Sequence, residues 1–148
     1  LCDVARLGNA RCGVNLAPHR LTGTVATSDG VALTVTTAGG LDPTRLARGI
    51  LTVTGGALAG QEFDLRGGAP IAGGVSVALW RAPVAGVPVG AAVTLTAGCD
   101  RSYRTCREVY GNGANFRGFP YMPGPDAATD YALPGAEGQS GGSRFGGF

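Results

Sequence analysis

The chain has 148 residues with 12 basic and 10 acidic side chains, a net charge of +2, and 44% hydrophobic residues. That length suits one domain of modest core, and the balance of charge does not suggest a nucleic-acid-binding surface. The hydrophobic content excludes a disordered chain, and no apolar run is long enough to span a bilayer.

Residues 1–16, LCDVARLGNARCGVNL, read as a loop or single turn between two cysteines, with Gly8 and Asn9 as the turn signal. The chain begins with Leu1, and Cys2 follows at once. We therefore expect it to be the C-terminal part of a longer protein, or the ordered part of one.

Residues 17–98 read as an all-β domain. RLTGTVATSDGVALTVTT predicts a hairpin turning at Ser28, Asp29 and Gly30; its second arm alternates cleanly and its first only roughly. LDPTRLARG (41–49) predicts one helical turn. The runs GILTVTGG, GQEFDLRG, GVSVALWRAP and AAVTLTAG are further short strands, each bounded by Gly or Pro. Six strands at this spacing predict a small barrel or sandwich. Trp80 lies on one alternating strand and is expected in the core. His19, the single histidine, has no nucleophile or orienting acid near it in sequence, so a structural or surface role is expected. No phosphate loop, HExxH or Ser–His–Asp pattern is present, and the ten carboxylates favour no catalytic pair. The chain is not expected to be an enzyme.

In residues 99–122 alternation stops. CDRSYRTCREVYG predicts one short helix ending at Gly111. Tyr103, Tyr110, Phe116, Phe119 and Tyr121 are expected to form a small satellite core around that loop. Residues 123–148, rich in Gly, Pro and Ala, predict a flexible tail that becomes ordered on a partner.

The four cysteines, Cys2, Cys12, Cys99 and Cys106, fall in two pairs that flank the strand region. A closed barrel could bring all four to its base. Three chemistries compete. Two disulfides need an oxidising compartment. A structural zinc usually takes more tightly spaced pairs. An iron–sulfur cluster is wider than a single ion and accepts cysteines from looser loops. Arg6, Arg11, Arg101, Arg104 and Arg107 lie close to the cysteines in sequence, and guanidinium groups would offset the negative charge of such a centre. Gly8, Gly13, Gly98 and Gly111 would let backbone N–H groups approach sulfur. The plainer reading of the arginines is that they keep a loop soluble.

The string CDRSYRTCREVYGNGANFRGFPYMPG resembles the C-terminal signature of phage tail proteins, the baseplate hub proteins of gene transfer agents and related prophages. CDVARLGNARCGVNL resembles the upstream cysteine loop of the same family, and the pattern is more distantly similar to the minor tail protein L of lambdoid phages. Together these blocks cover about 40 residues. The resemblance implies a [4Fe–4S] cluster on Cys2, Cys12, Cys99 and Cys106, with zinc the alternative. It implies a structural role at a virion tail tip, assembled in the bacterial cytoplasm as a homotrimer between the distal tail protein and the central tip protein. The centre is expected to act as a covalent staple on the β domain. A redox carrier or sensor using the same cysteines, and a glycan-binding module of the tail tip, are the alternative functions.

Overall fold

The computed structural model describes residues 1–119. The expected tail (123–148) and Tyr121 lie outside the described residues. The strands are β1 (Arg20–Asp29), β2 (Ala32–Thr37), β3 (Ile50–Val53), β4 (Glu62–Ile71), β5 (Gly74–Leu79) and β6 (Ala92–Thr96). They close into an antiparallel barrel in the order β1-β2-β5-β4-β3-β6, with β6 returning to β1. The barrel alternative is therefore the correct one, and the sandwich is not formed. Closure rests on pairings distant in sequence, such as Leu21 with Leu95 and Thr24 with Ala92. Leu1–Gly118 form one compact unit. No helix among the described residues is long and apolar enough to cross a membrane.

Alternation with period two sends one set of side chains inward. Leu33 and Val35, Leu51 and Val53, Val75, Val77 and Leu79, and Val93 and Leu95 all point into the barrel and are buried. Leu46, from the short 3-10 turn Pro43–Leu46, and Val87, from the β5–β6 connection, complete this core. Asp42 caps the turn by accepting the Thr44 N–H at 2.9 Å. The rough alternation of β1 has a physical cause. Gly23 occupies the position between Leu21 and Val25, and a side chain there would strike the Thr36 backbone oxygen and the Val35 side chain on the neighbouring strand. A bulge between Val25 and Thr27 then shifts the register of the strand's second half.

Two expectations are corrected. β4 does not stop at Gly67; it continues through Ala69 and Pro70 to Ile71, with a bulge between Leu65 and Gly67 that absorbs the change. Trp80 is not in the core. Leu79 is the last inward residue of β5, so Trp80 takes the opposite face, 63% exposed, with the Arg66 guanidinium 5.9 Å from its ring centre.

Candidate functional site: a cavity lined by four thiols

Two neighbouring stretches of chain cover part of the outer barrel wall. Ile50, Asp64 and Thr96 stand side by side on β3, β4 and β6 and alternate with the buried Leu51, Leu65 and Leu95. Alternation alone would leave them in water, yet Thr96 is only 8% exposed. Residues of 1–16 and 98–118 line one cavity together with this row. Arg6 reaches from the first stretch to Glu62 on β4 at 2.8 Å. The two stretches are pinned together by Cys2 N–H to Arg101 C=O (2.8 Å) and Asp3 N–H to Arg117 C=O (2.9 Å).

Between these stretches and the row Ile50–Asp64–Thr96 lies a cavity of about 370 Å³, and Cys2, Cys12, Cys99 and Cys106 all line it. Cys12 and Cys106 are buried, Cys2 and Cys99 partly so, and none is in a disulfide. Among the described residues no three Cys, His, Asp or Glu side chains meet at a point suited to a single ion; the thiols ring the cavity instead.

Burial and neighbouring charges act on two of the thiols. Burial pushes the Cys99 thiol up, and the charges of Asp100, Cys12 and Cys2 push it further, while the N–H of Arg101, 3.3 Å from its sulfur, acts the other way. Cys106 is raised by burial and then by Cys99, Cys12 and Cys2. Left alone, these two thiols keep their protons; a soft cation at the centre would displace them.

Local sequence explains each placement. Cys12 sits in a turn in which Asn9 accepts its N–H through both the backbone C=O (3.0 Å) and Oδ1 (2.9 Å). Cys106 lies in a short π-helix, Thr105–Val109, closed by Tyr110 N–H to Thr105 C=O. A short helix is thus present where the sequence predicts one, and Thr105–Val109 of it is π; at its start Asp100 accepts from the Ser102 N–H at 2.9 Å and the Thr105 hydroxyl at 3.0 Å, and the Ser102 hydroxyl oxygen accepts the Thr105 N–H at 3.1 Å. Tyr110 anchors its end, its hydroxyl donating to the Gly98 C=O. Burial, with the charge of Cys99 adding, raises that phenol to about 12.

Of the five arginines singled out, Arg6 and Arg101 line the cavity. Arg11 pairs with Asp3 at 2.7 Å and Arg104 with Glu108 at 2.9 Å, while Arg107 leans over Tyr103. Sequence reasoning missed Arg48, which also lines the cavity. Arg48 and Arg101 are the described non-glycine residues in the left-handed region, with φ of 61° and 64°. Such a conformation costs on the order of 1–3 kcal/mol and clusters at functional sites. Asn112 was missed as well; it donates from Nδ2 to the Cys12 C=O at 2.6 Å. The run YGNGANF was the available signal, since Asn beside Gly marks a turn whose side chain bonds to backbone.

The satellite aromatic core is present in part. Tyr103 meets Phe116 edge to face at 5.1 Å, and His19 meets Tyr110 likewise at 5.0 Å. Phe119 is 79% exposed. The His19 ring packs on Tyr110, and its Nδ1 is buried with no hydrogen-bond partner.

No curated protein matches the chain. A solved structure does: a chain from the virion of a native gene transfer agent particle, with a TM-score of 0.80 and 32% identity, covering 97% of this chain. The present chain spans half the length of that one. A family model described as phage conserved hypothetical protein BR0599 matches residues 44–126, from the turn before β3 through the second cysteine pair. That match takes in more than half of the sequence, and the chain belongs to this family of phage proteins.

Proposed function

We propose that the chain is a structural component of a phage-type virion, placed at the tail tip, whose four cysteines hold an iron–sulfur cluster that fastens two loops to a β-barrel. The observation that carries this reading is the cavity itself. Four thiols from opposite ends of the barrel sequence line one space of about 370 Å³ without forming disulfides. The fold around them is that of a chain in a gene transfer agent virion.

The residues fit such a centre. The donors are all soft thiols, which select iron–sulfur clusters or zinc. They surround a space rather than a point, as a cluster of several atoms requires. Arg6, Arg48 and Arg101 stand where they would offset its negative charge, and the Arg101 N–H already donates to the Cys99 sulfur. When bound, the cluster would supply four strong bonds across the loops. Within the particle we place the chain in the hub, as a trimer between the distal tail protein and the central tip protein.

Anaerobic purification followed by iron, sulfide and zinc analysis tests the centre. About four iron and four sulfide per chain, lost in Cys99→Ser, is the expected result. One zinc without iron keeps the staple and replaces its chemistry. Neither metal, with four free thiols, refutes the centre.

A second reading draws on Trp80. Its exposed indole, next to Arg66 and at the rim of the cavity, suits a saccharide platform at a tail tip. Saccharide binding that disappears in Trp80→Ala would support it.

A further inference from the structure

The two cysteine-bearing stretches are joined by one side chain whose hydrogen-bonding groups are all in use. Asn112 follows the π-helix. Its N–H donates to the Cys106 C=O at 2.8 Å, and its own C=O accepts from the Cys106 thiol at 3.3 Å and from the Asn115 N–H at 3.0 Å. Its Nδ2 donates to the Cys12 C=O at 2.6 Å and lies 3.8 Å from the Cys12 sulfur. Its Oδ1 accepts from Asn115 Nδ2 at 2.8 Å. Cys12 and Asn112 are 100 residues apart.

A primary amide offers donors and an acceptor on one short stem, and this position uses both. Aspartate has the same shape but, when ionised, only accepts. The 2.6 Å bond is at the short end for N–H···O, and its acceptor belongs to a buried cysteine. The backbone bonds Cys2 N–H to Arg101 C=O and Asp3 N–H to Arg117 C=O join the two stretches near the start of the first loop. Nothing in that pair of bonds fixes where Cys12 sits.

We infer that Asn112 is the positioning residue that holds the Cys12 loop against the Cys106 helix before any metal arrives, so that the thiols stand around the cavity in advance. The clamp itself is independent of metal. Its consequence for loading rests on the proposed centre. Bringing together points this far apart in the chain costs closure entropy, and a clamp of this kind settles that cost at folding rather than at metal uptake.

The test uses the full chain, reduced and metal-free, and compares wild type with Asn112→Asp and Asn115→Ala. Asn112→Asp keeps the acceptor facing Asn115, removes both Nδ2 donors and sets a carboxylate oxygen against the Cys12 carbonyl. Amide exchange at Cys12 and Gly13 should quicken roughly 5- to 150-fold in Asn112→Asp, the effect of leaving one buried partner unsatisfied. The gap should narrow near pH 3, where the introduced carboxyl is protonated and can donate again. Exchange within about twofold of wild type, or an equal increase in Asn115→Ala, overturns the clamp. Anaerobic reconstitution of the same proteins with iron and sulfide then reads the consequence, with iron held about 10- to 100-fold more weakly against a chelator in Asn112→Asp. Faster exchange with unchanged iron retention overturns the link between clamp and site. If wild type takes up no iron, the metal-centre reading fails, and exchange alone decides the clamp.

Discussion

Gly98→Ala is the substitution that joins fold and site most directly. Gly98 is where the chain leaves β6 for Cys99, and its N–H donates to the Arg45 C=O at 2.8 Å. A methyl group added there would lie 2.5 Å from the Gly49 nitrogen and closer still to the Ala47 oxygen and the Arg48 carbonyl carbon. All three are backbone atoms, and no rotamer can move them aside. The backbone around Arg48 is already left-handed and has little freedom to give. Overpacking usually costs about 1–3 kcal/mol, and a clash with backbone belongs at or above the upper end. For a unit of this size, about 3 kcal/mol lowers the melting point by on the order of 10 °C. The displaced strand end also carries Cys99 and the carbonyl that holds the Tyr110 hydroxyl. Thermal melting by circular dichroism of the reduced protein is the assay, with Gly40→Ala, whose added methyl meets nothing within 4 Å, as the control. A Gly98→Ala protein that melts within about 3 °C of wild type, less than 1 kcal/mol, would refute the claim that this approach is rigid.

Two further perturbations probe other parts of the molecule. Leu95 is fully buried at the centre of the core, so Leu95→Ala should lower the unfolding free energy by about 2–5 kcal/mol in denaturant titration with little change in slope. His19 is held below its ordinary value of 6.5 by burial and then by the Arg45 guanidinium, which lies 5.7 Å from the Tyr110 ring on which His19 also packs. A histidine kept neutral in the fold contributes stability that is present above its unfolded value and is lost as pH falls through the folded one. Wild type should therefore lose more stability between about pH 7.5 and 5 than His19→Phe does, measured as melting point against pH; parallel profiles would contradict this.

The strands were legible because period-two alternation and Gly or Pro boundaries are local signals. The reach of β4 to Ile71 was hidden by the same punctuation, since Gly67, Gly68 and Pro70 read as an end and are paired residues of a strand. Closure of the barrel was not legible, because nothing local marks Leu21 as the partner of Leu95. Trp80 was misplaced although the signal existed: Val75, Val77 and Leu79 point inward, so the next even position points out. The cysteines could be read as two pairs around one domain, and their convergence on one cavity follows from β1 and β6 lying side by side. Arg101 could be singled out by its place beside Cys99 and Arg48 could not; the left-handed backbone of both was hidden, because no sequence pattern marks a left-handed arginine.

The hydrophobic cluster inside the barrel includes none of the four cysteines; the buried Cys12 and Cys106 lie outside it. The thiols lie in the loops outside the barrel. The proposed centre would therefore chiefly support this covering rather than the whole β domain. Stability is distributed in such cooperative pieces, with loops opening at lower free energy than a closed core. Removing the centre with a chelator under reducing conditions should free residues 1–16 and 98–118 for rapid amide exchange and proteolysis, while amides of Leu33, Leu51, Val77 and Leu95 stay protected. Arg11, Arg101, Arg104 and Arg107 are the trypsin sites that should open first. If strand amides and loop amides lose protection together, the barrel depends on the centre for its own folding, and the division between an independent core and a stapled covering is wrong.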